Sequence, residues 1–385
     1  MPRRISVLIK GWLRCSALIG VLTGVHGGVV QAEDSLWHYG AYLDVNYAPD
    51  LSTPYSVPFR DKLTTMRLNQ VTTDLAMAYL YKDATASSPL GFELGFMTGS
   101  DLTGQMPKDN LMPGAQVLEH LARANLSYQT SVGNGLKLVG GLMSSFIGYE
   151  SFYAKDNINY SRAWGSDYSP YYLIGVGALY PLNPAVDLGF YLVTDYNYLQ
   201  VMNDQPKYAG QFVWRINPHL KWSENLFVGP EQTQTDFRYW RGFFNSMLEY
   251  QNEAWLTALV IDVGTQKQAG GNEVQQLYTA AALYNRWQLG GPFSIGLRPE
   301  LYYDPNGVQT GNIQFIKALT TTLEYKLTVE EITTRFRLEY RFDNSTGTEG
   351  GFYQAGGTRG PLTPSQSVIF LGMLMSFDDN LQVPW

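Results

Sequence analysis

Apolar and polar side chains alternate at every second position through most of this 385-residue chain. In the stretch EITTRFRLEYRFDN (331–344), Phe336 and Leu338 alternate with Arg337 and Glu339. Because successive side chains of a β-strand point to opposite faces, this stretch predicts a strand with one apolar face and one charged face. In a soluble sandwich the apolar face would pack on a core, whereas in a membrane-spanning barrel it would contact lipid.

The same alternation predicts sixteen strands, with a margin of two, along the whole chain. In the second of them, Leu75, Met77 and Tyr79 are expected to share the apolar face, opposite Asp74. No apolar run approaches the roughly 20 residues that a membrane-spanning helix needs. The predicted strands are 36–48, 70–82, 90–99, 121–130, 135–146, 170–180, 185–199, 207–216, 219–229, 240–251, 254–265, 276–289, 292–304, 313–327, 331–343 and 367–377.

The connections between these strands are sorted by length. Most links from an even to an odd strand are short, as at 217–218 and 252–253, whereas links from an odd to an even strand are mostly long, as at 49–69 and 147–169. Short turns at one rim, long loops at the other and an even strand count are typical of outer-membrane barrels. The chain therefore predicts an all-β fold, a transmembrane antiparallel β-barrel of about 16 strands (14–18), with short periplasmic turns and long extracellular loops.

The first 32 residues have the pattern of an export signal. Basic residues precede an apolar stretch at 16–30, and Val-Gln-Ala at 30–32 fits the small residues that a signal peptidase reads. The sequence thus predicts a cleaved signal peptide over 1–32 and a single outer-membrane barrel domain over 33–385. Cys15 is the only cysteine, so the mature chain would carry no disulfide framework and no thiolate.

Charge and residue inventory exclude several functions. The net charge is −7, and four cations lie within 1–32, so the mature chain would reach −11 and is not suited to bind nucleic acid. His38, His120 and His219 stand at no metal-ligand spacing. The chain also has no GxSxG element, and no histidine has a neighbourhood that would make it the base of an outer-membrane hydrolase. We therefore expect no enzyme, no catalytic residue, no metal site and no cofactor.

Two stretches resemble a known family. Residues 137–164 (KLVGGLMSSFIGYESFYAKDNINYSRAW) carry a Gly-rich strand, then GYE at 148–150 and NYSR at 159–162, and they resemble the OmpL-like beta-barrel porins, also called beta-barrel porin family 2. Residues 67–79 are similar to the second strand of that family, whereas Gly-Leu-Met at 141–143 departs from its pattern. The resemblance implies a Gram-negative outer-membrane pore in contact with outer-membrane lipid.

The C-terminus offers two candidate assembly signals. The last predicted strand ends at Phe377, and the chain continues to Trp385. The barrel-assembly machinery reads a C-terminal aromatic residue in this class of protein, so the expected assembly signal is Phe377 or Trp385.

Charges on the water-facing strand faces predict the pore lining. The arginines of the thirteenth and fifteenth strands and the acids of the first three strands would set a transverse field if they face one another across the lumen. The alternative is that they are the ordinary content of a water-facing strand. The predicted lining residues are Asp44, Asp74, Glu93, Arg123, Arg298, Lys326, Arg335, Arg337 and Arg341.

The link between the fifth and sixth strands, 147–169, is the candidate constriction. In sixteen-stranded general porins the corresponding loop folds into the barrel and narrows it, and one interpretation is that 147–169 does the same. The alternative is an extracellular loop packed on its neighbours. The candidate constriction residues are Glu150, Lys155, Asp156, Arg162 and Asp167.

These observations predict an outer-membrane porin for passive diffusion of small hydrophilic solutes, with at most a weak cation preference from the acidic total. One alternative is a substrate-specific channel whose lumenal aromatic residues stack on sugars. Another is a soluble exported β-sandwich that binds a ligand. Homo-trimer and monomer are both compatible with the sequence.

Overall fold

The computed structural model describes residues 37–378 apart from 53–54, 106–117, 195–204, 233–234, 268–273 and 355–356. Short helical turns occur at Leu102–Gln105, Ala154–Asp156, Trp164–Asp167 and Phe237–Tyr239. The strands are β1 Trp37–Tyr47, β2 Val71–Lys82, β3 Leu90–Thr98, β4 Leu121–Gln129, β5 Lys137–Ser144, β6 Tyr172–Asn183, β7 Val186–Val193, β8 Lys207–Asn217, β9 Leu220–Pro230, β10 Trp240–Gln251, β11 Trp255–Lys267, β12 Gln275–Gly290, β13 Phe293–Asp304, β14 Gln314–Val329, β15 Ile332–Thr346, β16 Phe352–Gln354, β17 Gly357–Thr363 and β18 Ser365–Asp378.

Sixteen of these strands close into one antiparallel barrel, in which β1 pairs with both β2 and β18. The closing register runs from Gly40 opposite Asp378 to Tyr47 opposite Leu371. Closure pairs the backbone groups that an edge strand would leave open, which is the condition for a sheet to span lipid. The predicted barrel is confirmed, and a β-sandwich is excluded.

The strand faces divide as the alternation predicts. On β15, Phe336 and Leu338 are 44% and 50% exposed, whereas Glu339 and Arg341 are fully buried in the barrel interior. The apolar side chains therefore form the outer surface that meets lipid, and the charged side chains point inward. Within the described residues, no helix has the length and apolarity to cross a membrane.

The connections also follow the predicted sorting. Links from even to odd strands have two to seven residues, whereas the first three links from odd to even strands, 48–70, 99–120 and 145–171, exceed twenty residues. The long link before β18 contains a feature that the sequence did not predict, the two-stranded hairpin β16–β17. The predicted seventh strand, 185–199, is described only as β7, because 195–204 lie outside the described residues.

The expected apolar face of β2 is wrong for half of the strand. Asp44 of β1 pairs with Leu75, whereas Val45 pairs with Thr73, so Asp74 is an extra residue in a β-bulge. An extra residue reverses the facing of every later side chain in the strand. Leu75 and Met77 are consequently buried inside the barrel, at 1% and 6% exposure.

Candidate functional site in the barrel interior

The link between β5 and β6, residues 145–171, folds into the barrel, and we call it the inner loop. Tyr160, Arg162 and Trp164 on this loop are at most 1% exposed. The Arg162 guanidinium donates hydrogen bonds to the carbonyl oxygens of Tyr160, at 2.9 Å, and of Phe152, at 2.5 Å. The loop therefore satisfies part of its own backbone, which a segment removed from water must do.

Arg298 on β13 anchors the first half of the inner loop. Its Nη1 lies 2.8 Å from Oε1 of Glu150 and donates a 2.7 Å hydrogen bond to the carbonyl oxygen of Ser161. Glu300, two residues further on β13, lies 3.3 Å from the same guanidinium and accepts a 2.6 Å hydrogen bond from the backbone N–H of Trp164. These charges are buried, so their desolvation is offset only because every one of them has ionic and hydrogen-bond partners.

Two arginines of β15 bind the inner loop through its carbonyl groups. Arg337 donates to the carbonyl oxygens of Ala154, at 2.7 Å, and Asn157, at 2.6 Å. Arg341 donates to the carbonyl oxygen of Arg162 at 2.8 Å. The planar guanidinium offers five donors in a fixed fork, so one side chain can hold several backbone acceptors.

The tip of the inner loop is held by carboxylates of three strands. Glu339 on β15 accepts hydrogen bonds from the backbone N–H groups of Tyr160, at 2.5 Å, and Ser161, at 2.9 Å. The Tyr160 hydroxyl lies 2.5 Å from a carboxylate oxygen of Asp44 on β1 and 3.0 Å from one of Asp74 on β2. The loop thus contacts the interior wall on both sides of the β1–β18 closure.

The link between β1 and β2 covers the inner loop from the long-loop side. Lys62 forms a fully buried ion pair with Asp167, and its Nζ also donates to the carbonyl oxygen of Arg162 at 2.8 Å. Burial lowers the pKa of Lys62, while the Asp167 carboxylate opposes this shift. Thr64 donates a 2.6 Å hydrogen bond to Asp167. Two loops therefore share one buried ionic contact inside the barrel.

The charges that were expected to set a transverse field lie on seven consecutive strands of the barrel, and the field itself stays a prediction. The strand order is β13-β14-β15-β18-β1-β2-β3, with the arginines at one end of this run and the acidic residues at the other. Asp44, Asp74, Arg298 and Arg341 are at most 1% exposed, because the inner loop packs on them. These residues hold the loop and do not line an open passage.

An open cavity of about 730 Å³ lies between the inner loop and the inner faces of β3–β12. Glu93 and Arg123 line it, 3.9 Å apart. The loop residue Asp156 also lines it and pairs at 3.0 Å with Lys155, which lies 3.6 Å from Asp378 on β18. The sequence analysis missed eight charged lining residues, although each lies on or beside the polar stretch of a strand near a short turn. They are Lys82, Asp83, Lys137, Asp187, Arg215, Lys221, Glu249 and Arg286.

The remaining predicted lining residues lie near the short-turn rim on β14 and β15. Lys326 and Arg335 are paired in register and share a face with Glu324 and Arg337. The Glu324 carboxylate lies 2.7 Å from Arg337 and 3.9 Å from Arg335. Lys326 is exposed.

Asp304, the last residue of β13, holds the turn that follows this strand. The Asp304 carboxylate accepts hydrogen bonds from the backbone N–H groups of Val308, Gln309 and Thr310 at 2.7–3.0 Å. Within the described part of the chain, no group of three or more His, Cys, Asp or Glu residues could hold a metal ion.

Phe377 is the penultimate residue of β18, and its ring lies 5.7 Å from that of Tyr39 on β1. Trp385 and the predicted signal peptide, 1–32, lie outside the described residues.

A sequence model of the family described as Putative beta-barrel porin-2, OmpL-like, matches residues 37–377. The comparison with curated proteins gives no match. The fold is similar to that of the anion-selective porin from Comamonas acidovorans, with 13% identity, a TM-score of 0.57 and coverage of 89% of this chain and 99% of that one. The outer membrane channel DcaP of Acinetobacter baumannii gives 11% identity, a TM-score of 0.54 and coverage of 92% and 100%. OmpT, an outer membrane protein of Vibrio cholerae, gives 10% identity, a TM-score of 0.51 and coverage of 90% of this chain and 99% of that one. At these identities the likeness to solved structures shows a shared fold alone.

Proposed function

Because the chain belongs to the OmpL-like beta-barrel porin-2 family, we propose that it is an outer-membrane channel for passive diffusion of small hydrophilic solutes. The observation that carries this proposal is the closed barrel with an apolar outer surface and a charged, water-accessible cavity of about 730 Å³. A sixteen-stranded barrel is wide enough to enclose an aqueous passage. The inner loop occupies part of that width and would set the size limit for solutes.

The test is single-channel conductance of the purified, folded mature protein in a planar lipid bilayer. Stable ohmic steps are expected, because a fixed loop narrows a passage without gating it. A matched variant replaces residues 149–169 by a short Gly/Ser linker and should conduct more per channel than the wild type. A folded barrel that shows no steps in either form would overturn the proposal.

A second candidate function is a channel that binds one class of solute. Tyr149, Tyr153, Tyr180 and Tyr191 line the cavity, and aromatic faces are suited to stack on sugar rings. The cavity volume lies within the range of small-molecule sites, about 300–1,000 Å³. Sugars that interrupt the ion current at micromolar to millimolar concentration would favour this candidate, whereas current that is insensitive to sugars favours general diffusion.

Export and assembly complete the proposal. We expect cleavage after Ala32, insertion by the barrel-assembly machinery and a location in the outer membrane, all of which N-terminal sequencing of protein from outer-membrane fractions can test.

Strands β5 and β7 have eight residues each, whereas β12 and β14 have sixteen. A spanning strand needs about 9–11 residues, so the part of the barrel wall that contains the short strands β5 and β7 is the surface on which copies would meet in a homo-trimer. Native mass in detergent distinguishes a trimer from a monomer.

A further inference from the structure

The acidic residues that line the open cavity are paired, whereas some of its cations are not. Glu249 lies 3.0 Å from Lys221, Asp187 binds Arg215, and Glu93 lies 3.9 Å from Arg123. Such pairs contribute little net field at a distance, because the two charges nearly cancel.

Two further acids of the lining are neutralised from outside it. Glu150 is paired with Arg298, and Asp156 with Lys155, and neither of these cations lines the cavity. The sixth acid, Asp83, lies 3.4 Å from the imidazole of His38 at an exposed turn. Five of the six acidic residues of the lining therefore have a lysine or arginine within 4.0 Å, while Asp83 has an imidazole, which is a cation only when protonated.

Lys137 and Arg286 line the same cavity without an acidic partner within 4.0 Å among the described residues. Lys137 begins β5 at the short-turn rim. Arg286 lies four residues before the end of β12 and shares the inward face with the buried Tyr284. Lys82, the remaining cation of the lining, donates to neutral oxygens of Ser88 and Leu90 in its own turn.

On β14 and β15, the inward-facing charges at the short-turn rim are also mostly positive. On these two strands, Glu324 is the one acid among four inward-facing charged residues there, the others being Lys326, Arg335 and Arg337. Asp378, at the same rim on the neighbouring β18, lies 3.6 Å from Lys155. The positive balance on this side contrasts with the net charge of −7 of the whole chain. The charges of β14 and β15 at this rim thus have a positive excess, which is opposite in sign to the total charge of the chain.

We propose that the lumen on the short-turn side favours small anions, such as inorganic anions and short-chain carboxylates, and that Lys137 and Arg286 set this preference. The inference rests on the proposed channel function and names its solute class. An unpaired charge in a narrow aqueous passage raises the local concentration of counter-ions. At about 8 Å in water and at about 0.1 M salt, screening leaves an effect of roughly 1.5- to 2-fold per charge on that concentration.

The experiment is the reversal potential of single channels in a tenfold potassium chloride gradient. The wild type is expected to pass chloride faster than potassium. The double variant Lys137→Gln/Arg286→Gln should lower the chloride-to-potassium permeability ratio about 5- to 16-fold, because each removed charge changes the local concentrations of the two ions in opposite directions, with little change in conductance at high salt. Lys317→Gln is the control for loss of a positive charge outside the lumen, because Lys317 lies on the outer face of β14.

The outcomes separate the two proposals. Protein that folds but never conducts contradicts the channel function itself. Ohmic channels that prefer potassium, or a double variant with the selectivity of the Lys317→Gln control, would overturn the anion preference and leave the channel function standing.

Discussion

Arg298 of β13 and Glu150 of the inner loop form an ion pair of 2.8 Å in which both side chains are at least 99% buried. The pair joins residues 148 positions apart in the sequence and fixes the loop against the barrel wall. A buried charge that loses its partner costs several kcal/mol, so the loop cannot leave the wall without separating several such pairs. The inner loop is accordingly a fixed part of the passage rather than a movable lid.

The first prediction concerns this anchor. Arg298→Met leaves Glu150 buried without its cation, so the free energy of unfolding measured in guanidinium should be about 3–5 kcal/mol lower than that of the wild type. Single-channel current should become larger or noisier, because the loop is held by fewer contacts. Arg215→Met is the control, since its pair with Asp187 is more than one third exposed and should contribute at most about 1 kcal/mol. Equal losses in the two variants would contradict the anchoring role.

The second prediction concerns the tip of the inner loop. Tyr160→Phe removes the hydroxyl that bridges Asp44 and Asp74, and about 1–3 kcal/mol of stability should be lost because two buried carboxylates lose a donor. Asp44→Asn in the same chain removes one of those charges, so the double variant should lose less than the sum of the two single variants. Strict additivity in guanidinium unfolding would show that the three groups do not act together.

The third prediction tests the β-bulge at Asp74. Tyr81→Cys, after the bulge, should be reached by a membrane-impermeant maleimide through the lumen, whereas Leu80→Cys should be protected by lipid. The proposed cleavage after Ala32 would remove Cys15, so each mature variant would carry a single cysteine. If Leu80→Cys were labelled and Tyr81→Cys protected, β2 would follow the uninterrupted alternation of the sequence and the bulge at Asp74 would be contradicted.

The fourth prediction is a dependence on pH. Asp101 follows β3 in a long loop and accepts a 2.6 Å hydrogen bond from the backbone N–H of Thr65. Burial raises the pKa of Asp101 well above its usual value, and the nearby Asp74 carboxylate adds to the shift, against the Arg162 charge. The unfolded chain would release this proton near pH 3.9, so the folded state holds more protons above that pH. The contribution of Asp101 to stability is therefore present at acid pH and is lost as pH rises through its folded pKa.

Asp101→Asn keeps the acceptor for Thr65 and cannot ionise. The difference in unfolding free energy between this variant and the wild type should grow in favour of the variant from pH 4.5 to pH 8. A difference that is constant over this range would show that Asp101 does not titrate with folding.

The fifth prediction separates the two assembly signals. Removing residues 379–385 should leave insertion into the outer membrane intact, because β18 ends at Asp378 and Phe377 remains at its end. Phe377→Ala in the full chain should reduce the amount of folded barrel in outer-membrane fractions. The opposite pattern would assign the signal to Trp385.

The strand faces and connection lengths were enough to predict the barrel. Alternation is a local property, so Phe336 and Arg337 reveal their opposite environments without knowledge of any distant residue. The short and long links could also be predicted from the sequence, because each link is simply the segment between two strands that are consecutive along the chain. The hairpin β16–β17 was missed, since its short strands carry too few residues to show a period.

The sequence failed where one extra residue or a distant contact decided the outcome. Alternation continues through 70–82, but the bulge at Asp74 turns Leu75 and Met77 inward. A bulge is set by the register of two strands, which a single strand does not contain. Arg298, Arg337 and Arg341 lie on the inward strand face, yet they hold the inner loop, whereas the predicted lining residue Arg123 does line the cavity.

The sequence by itself determined the class of fold and which face of most strands is apolar and which is polar, because these depend on residues close to one another along the chain. The tertiary structure alone decided which charges remain open to solutes. Arg298 and Arg286 look alike in the sequence, both on the inward face of long strands, and only the path of the inner loop buries the first and leaves the second at the cavity. That path depends on ion pairs and hydrogen bonds between residues more than a hundred positions apart, as between Glu150 and Arg298, and such contacts have no local signature in the sequence.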